Sequence, residues 1–311
     1  MISCTEYILF YSELFKYIDR HYGYSAVQAY WTHRFRPDGK GIPLINFLKK
    51  DGLKGAYYYW SESLKEEASD VTLTLNEKQG WYKMDMRHCP SKGRLLEMKE
   101  KLGIEPYAHY CDHCDYYRAS LNQVGLDWIY DFTGTDHAAC CNVIYDPKVF
   151  KGVMTVDEDT IIRKYQSGEL EYFHPAFHSG VSIGIDYLGS TYGETALVDY
   201  LSNTTKAIYR KRIEKIKAEG LAALQEIILD TYEKEHAPEA VEVTLSDNTL
   251  SVHVHWCPAV RFLQKNGKMI SKWFSLTTSV VMETIAKECG FTFTMGAYDE
   301  QTGKTRYSFK K

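Results

Sequence analysis

Apolar and polar positions change period several times along this chain, and the changes come in the same order twice. Residues 180–203 and 205–235 carry apolar residues at three- to four-residue spacing, as in IEKIKAEGLAALQEIIL, and predict two amphipathic helices. The following VEVTLSDNTLSVHVHW alternates with period two about Asp247-Asn248, which predicts a β-hairpin. In the first half VTLTLNEKQGWYKMDMRHC has the same pattern behind its own helical stretches. A Cys-Pro dipeptide leaves the second strand in both places, Cys89-Pro90 and Cys257-Pro258. Helices are predicted next, over 91–101 and 111–124 and over 258–267 and 276–288. LDWIYDFTGTDHAACCNVIY and FTFTMGAYDEQTGKTRYSF then read as closing hairpins. The order αα-ββ-αα-ββ, met twice, predicts an α+β protein, each half an antiparallel sheet with helices packed on it.

The halves also align residue by residue. Tyr22-Gly23 matches Tyr192-Gly193, Gly52-Leu53 matches Gly220-Leu221, Thr74-Leu75 matches Thr244-Leu245 and Gly125 matches Gly290, at offsets of 165–170 residues. A nearly constant offset predicts a tandem duplication. The expected domains are residues 1–150 and 172–311, joined by a charged connector over 151–171 and related by a pseudo-two-fold axis that imitates a homodimer.

Charge and export signals narrow the partners. Lys and Arg number 37 against 41 Asp and Glu, so no basic excess favours nucleic acid. No run approaches 18 apolar residues, and the start lacks a basic segment and a cleavage site, which predicts no membrane partner and a cytoplasmic protein. In that compartment thiols stay reduced, so the eight cysteines are candidate ligands, nucleophiles or small buried residues. A further homo-oligomer is left open.

Six of the eight lie in the first half. Cys111-Asp112-His113-Cys114 is a CxxC that can chelate a metal or form a redox pair. Cys140 and Cys141 sit in the closing strand, where only one can share a face with Cys111. Cys89 leaves the first hairpin beside His88. Three of these thiols converging would make a thiolate site, and four would suit zinc or an iron–sulfur cluster. The 168-residue offset carries Cys111 to Ser279 and Cys114 to Met282, so the second half reads as scaffold or lid. It contributes histidines instead: His174 and His178 four apart at a predicted helix start, as metal ligands require, and His253 and His255 on one strand face. Glycine-rich phosphate loops and HExxH are absent from the sequence.

Cys89-Pro90, Cys111-Asp112 with Tyr116-Tyr117, Gly134 and Cys140-Cys141 together resemble the L-2-amino-thiazoline-4-carboxylic acid hydrolase-like family. More distantly, the element order is similar to the ligand-binding fold of vinyl-reductase-like domains and TRAPP-type subunits. The first resemblance implies hydrolysis of a carbon–nitrogen bond in a small cyclic amidine or amide-like substrate. It carries over Cys89, Cys111, Asp112 and Cys140 or Cys141. Cys111 would serve as nucleophile or metal ligand, with Asp112 or His88 handling protons. The second resemblance implies a small-molecule- or metal-binding module without turnover, or, in the TRAPP direction, an assembly adaptor.

Overall fold

The structure is a computed structural model and describes residues 2–311. In chain order its elements are α1 (Tyr7–Tyr22), α2 (Tyr24–Arg34), α3 (Leu44–Glu66), β1 (Asp70–Asn76), β2 (Trp81–His88) and α4 (Pro90–Leu102). A 3-10 stretch, Tyr110–Tyr117, leads into α5 (Arg118–Gln123), followed by β3 (Asp127–Asp131), β4 (Cys140–Tyr145) and β5 (Ile161–Tyr165). The chain continues through α6 (Phe177–Tyr192), α7 (Glu194–Ile208), α8 (Arg210–Glu219), α9 (Leu221–Lys234), β6 (Val241–Ser246) and β7 (Thr249–Val254). It ends with α10 (Pro258–Lys265), α11 (Leu276–Cys289), β8 (Thr292–Met295) and β9 (Thr305–Lys310). The fold is α+β with two antiparallel sheets. Among the described residues no helix is long and apolar enough to cross a membrane.

The chain forms two compact units. The cysteine-rich unit comprises Ile18–Glu100 and Glu105–His174. The C-terminal unit comprises the chain up to Tyr17, Lys101–Ile104 and Pro175–Lys311.

In the cysteine-rich unit the strands lie in the order β3-β4-β2-β1-β5. The outermost, β5, forms within the charged connector, where Val71–Leu75 of β1 supplies the pairing partner. The alternation of β1 buries Val71, Leu73 and Leu75 on one face, against α3. Trp60 of that helix meets Trp128 with ring centroids 5.6 Å apart, and Tyr57 meets Tyr82 at 5.7 Å. Rings at such separations add edge-to-face attraction to a large buried area.

The C-terminal unit has the order β6-β7-β9-β8. Leu250, Val252, Tyr307 and Phe309 point inward, with Leu224 and Ile228 of α9 buried in the same unit. Taken separately, the two units pair their strands in the same pattern, apart from the added edge strand β5. In both, the proline of the Cys-Pro corner starts a helix, and the corner amide is tied to a loop carbonyl: Cys89 N–H to Ala138 O, Cys257 N–H to Thr302 O.

Two segments differ from the sequence expectation. The helices expected over 180–203 and 205–235 are four, interrupted at Gly193, Tyr209 and Gly220. Gly220 has φ 78°, ψ −151°, a backbone open only to glycine, and the apolar spacing runs through it unbroken. Gly52 bends α3 in the same way, with φ 55°, ψ −130°. Over 111–124 the chain is 3-10 as far as Tyr117 and α-helix only over Arg118–Gln123. Cys, Asp, His and Tyr there are weak helix formers, and tertiary packing sets the local geometry.

Candidate functional site

Four thiols gather at one end of the sheet in the cysteine-rich unit. Cys89 sits where β2 turns into α4, and the Lys92 N–H of the first helical turn points at its Sγ, 3.5 Å away. The 3-10 stretch brings in Cys111 and Cys114. Cys140 opens β4 and receives the Asn142 side-chain amide at 3.7 Å. Tyr130 of β3 lies opposite Asn142, on the Cys140 face, and its hydroxyl bonds the thiols of both Cys114 and Cys140. All eight cysteines are thiols, none in a disulfide.

The thiols suppress one another's ionisation. Burial pushes the Cys89 thiol up to about 12, with neighbouring Cys140 adding to the effect. Cys111 is pushed up to about 11, chiefly by burial, against the pull of Lys92. Cys114 is raised furthest, by burial and then by Cys111, Cys89 and Cys140. Four thiolates here would lack compensating positive charge, so a cation is what the cluster needs before it can ionise.

Cys141 faces away. It pairs with Asp85 across β2 and borders Lys83. Strand alternation therefore assigns Cys140, not Cys141, to the cluster. The His88 ring lies against Gly93, where a side-chain carbon would stand 2.1 Å from Nε2. His113 packs beside the cluster, its Nδ1 engaged with the Tyr110 carbonyl and its Nε2 3.9 Å from Cys114 Sγ. Burial lowers His113 to about 4, so at neutral pH the ring is uncharged.

Asp112 turns outward. Its Oδ2 accepts from the Tyr24 hydroxyl at 3.1 Å and pairs with His109 Nδ1 at the same distance. It borders an open cleft of about 650 Å³ whose walls include Tyr24, Phe35, Asp115, Tyr116 and Arg118. Arg118 is already engaged, with Asp115 at 2.7 Å and Asp127 at 2.8 Å. The cleft thus offers aromatic faces and acceptors rather than an unsatisfied cation, which suits a small polar or cationic ring more than an anion.

The expected histidine pairs take separate places. α6 begins at Phe177, so His174 precedes the helix and bonds Glu66 in the cysteine-rich unit at 2.6 Å. His178 lies in the C-terminal unit and bonds the buried Glu235 at 2.9 Å. The His253 and His255 rings lie with centroids 4.2 Å apart, tilted by 55°, and a nitrogen of each approaches a Glu242 carboxylate oxygen within 4.8 Å. Sequence reasoning missed Tyr130, Asn142 and Lys92 around the thiols. Period-two alternation places Asn142 on the Cys140 face and was the signal available for it. No family model matches the chain, and comparison with the curated proteins and with solved structures gives no match either.

Proposed function

We propose that the cysteine-rich unit is a metal-binding module in which Cys89, Cys111, Cys114 and Cys140 hold a metal–sulfur centre beside a cleft for a small molecule. The observation carrying this reading is the convergence of four thiols from the β2 corner, the 3-10 stretch and β4 on one half-buried spot around Tyr130. Their spacing favours an iron–sulfur cluster over a single zinc ion. Tetrahedral zinc draws its sulfurs to within about 4 Å of one another. Among the described residues, the groups whose ligand atoms all lie within 4.8 Å include none of these four. A cluster holds its thiolates further apart. The duplication with its pseudo-two-fold relation, the cytoplasmic location and a homo-oligomeric state belong to the same proposal.

The test is iron, sulfide and zinc content with a visible spectrum, on full-length protein purified without oxygen. Near-stoichiometric iron and sulfide with visible absorption is expected. Metal-free protein that is folded and colourless would overturn the reading.

A second reading is the hydrolase implied by the family resemblance, acting on the carbon–nitrogen bond of a small cyclic amidine. The Cys114–His113 contact favours it. With Nδ1 donating to Tyr110 O, the Nε2 lone pair faces a thiol as a base should. Cys111 would be nucleophile or ligand, and Asp112 would meet the substrate in the cleft. Turnover of an amidine ring by metal-free protein, abolished in Cys114→Ala or Cys111→Ala, separates this reading from the first.

A further inference from the structure

The C-terminal unit contains a second set of metal-type donors, remote in sequence from one another. Cys4 begins the short 3-10 turn Cys4–Glu6, His178 lies in the first turn of α6, and Glu235 follows the last turn of α9. Cys4 Sγ, a ring nitrogen of His178 and a carboxylate oxygen of Glu235 all lie within 4.8 Å of one another. The three residues are 0%, 1% and 5% exposed. The Cys4 N–H donates to Glu235 Oε1 at 2.6 Å, and His178 Nε2 meets Oε2 at 2.9 Å. We propose that Cys4 and His178 ligate a divalent ion of the zinc class, with Glu235 holding the imidazole through its other N–H.

The second observation is the state of the imidazole. Glu235 only accepts, so the Nε2 proton is donated to it, and His178 Nδ1 is left buried with no hydrogen-bond partner. An unsatisfied buried nitrogen costs about 1–3 kcal/mol, and native folds seldom leave one without a reason. A cation bonded to the ring through one nitrogen and to Cys4 Sγ leaves the other N–H for the carboxylate. Both nitrogens are then used, in the carboxylate–histidine–metal arrangement common to zinc sites. Thiolate and imidazole ligands select zinc over hard cations, which prefer all-oxygen shells.

Glu242, His253 and His255 make a weaker competitor. That group is largely exposed, and Arg306 and Lys304 set positive charge beside it. Burial of the Cys4 set points to a structural ion. It would tie the N-terminal turn to α6 and α9, closing a loop of 231 residues between Cys4 and Glu235.

The test compares the full-length chain with Cys4→Ser, His178→Gln and Glu235→Gln for zinc content, and for the spectrum after cobalt loading. About one equivalent of zinc is expected beyond any iron, with cobalt giving tetrahedral bands and the charge-transfer band of a single thiolate. Cys4→Ser should lose that band and weaken zinc binding more than about tenfold, with the visible spectrum of the thiol cluster unchanged. Should the single variants fail to fold, the Cys89, Cys111, Cys114 and Cys140 to Ser variant decides the matter: it should keep the one-thiolate cobalt signal. Absence of zinc and cobalt binding in either folded background, or an unchanged signal in Cys4→Ser, overturns the site. A colourless protein that still binds one zinc refutes the cluster and leaves this site standing.

Discussion

The corner cysteines Cys89 and Cys257 stand in the same backbone setting and in different chemistry. Each follows a central strand, each amide is fixed by a loop carbonyl, and each precedes a proline that starts a helix. Around Cys89 the neighbours are Cys140, Cys111 and Cys114. Around Cys257 they are Tyr232, Tyr298 and Tyr307. The strand partner of Met86 is Cys140, and the strand partner of the matching Val254 is Thr305. The frame is thus common to both units, and a few inward positions decide whether the corner is a ligand set or packed core.

The largest effect expected from that contrast is on metal content. Cys111→Ala with Cys114→Ala should take the iron of anaerobically purified protein from near-stoichiometric to background. Cys257→Ala should leave iron unchanged and cost only packing, about 1–2 kcal/mol read from a denaturant midpoint. Equal loss of iron in both variants would break the comparison.

A smaller effect tests the shared frame itself. Gly52 and Gly220 bend their helices with φ 55° and 78° and ψ −130° and −151°. At Gly52 nothing stands within 4 Å of an added side-chain carbon, so the penalty of Gly52→Ala is backbone strain alone. Each Gly→Ala substitution should cost roughly 1–3 kcal/mol, lowering the melting temperature by several degrees. Similar costs at the two positions would sharpen the parallel, and a large inequality would weaken it.

Smaller still is the effect of the hydroxyl that bridges Cys114 and Cys140. Tyr130→Phe should keep the fold and cost about 1 kcal/mol, since one shared hydrogen bond is lost without a cavity. Metal-free Cys140 should then react more slowly with a thiol reagent than in the parent, because the hydroxyl's hydrogen bond favours its thiolate, while Cys141, on the other strand face, should not change. An unchanged Cys140 rate would remove Tyr130 from the site.

Much of this architecture was legible from period alone. Both central hairpins, both Cys-Pro corners and the closing hairpins fall where alternation put them. The breaks at Gly193 and Gly220 were not, because an amphipathic stripe continues across a glycine whatever its φ. The thiols Cys89, Cys111, Cys114 and Cys140 could be named from sequence. Alternation also said that only one of Cys140 and Cys141 would join them. Which one depends on strand register, a tertiary property. His174 and His178 matched a helical spacing, but Pro175 lies in a turn ahead of α6, and the two rings find different carboxylates. Cys4 and Glu235 are brought together by folding across nearly the whole chain, which no local pattern records.

The smallest expected effect lies at the ends of α3 and α9, where both units carry a glutamate just past the last turn, Glu67 and Glu235. A positive-φ residue follows each, Ala68 at 51° and His236 at 53°. Burial disfavours both charges. At Glu235 it is outweighed by hydrogen bonds from His178, Ser3 and the Cys4 amide, and the carboxyl is held below its ordinary value. At Glu67 burial wins over His174, Arg94 and a Ser91 hydrogen bond, with Glu66 adding repulsion, and the carboxyl is held above its ordinary value. The folded state then binds the Glu67 proton more tightly than the unfolded chain does. The resulting stability is fully present below the ordinary carboxylate value and is lost as pH rises through the raised one. Glu67→Gln should therefore melt above the parent at about pH 8 and close to it at about pH 4. Parallel melting curves for Glu67→Gln and its parent across that range would show that Glu67 is solvated, and that the two helix ends differ less than their surroundings imply.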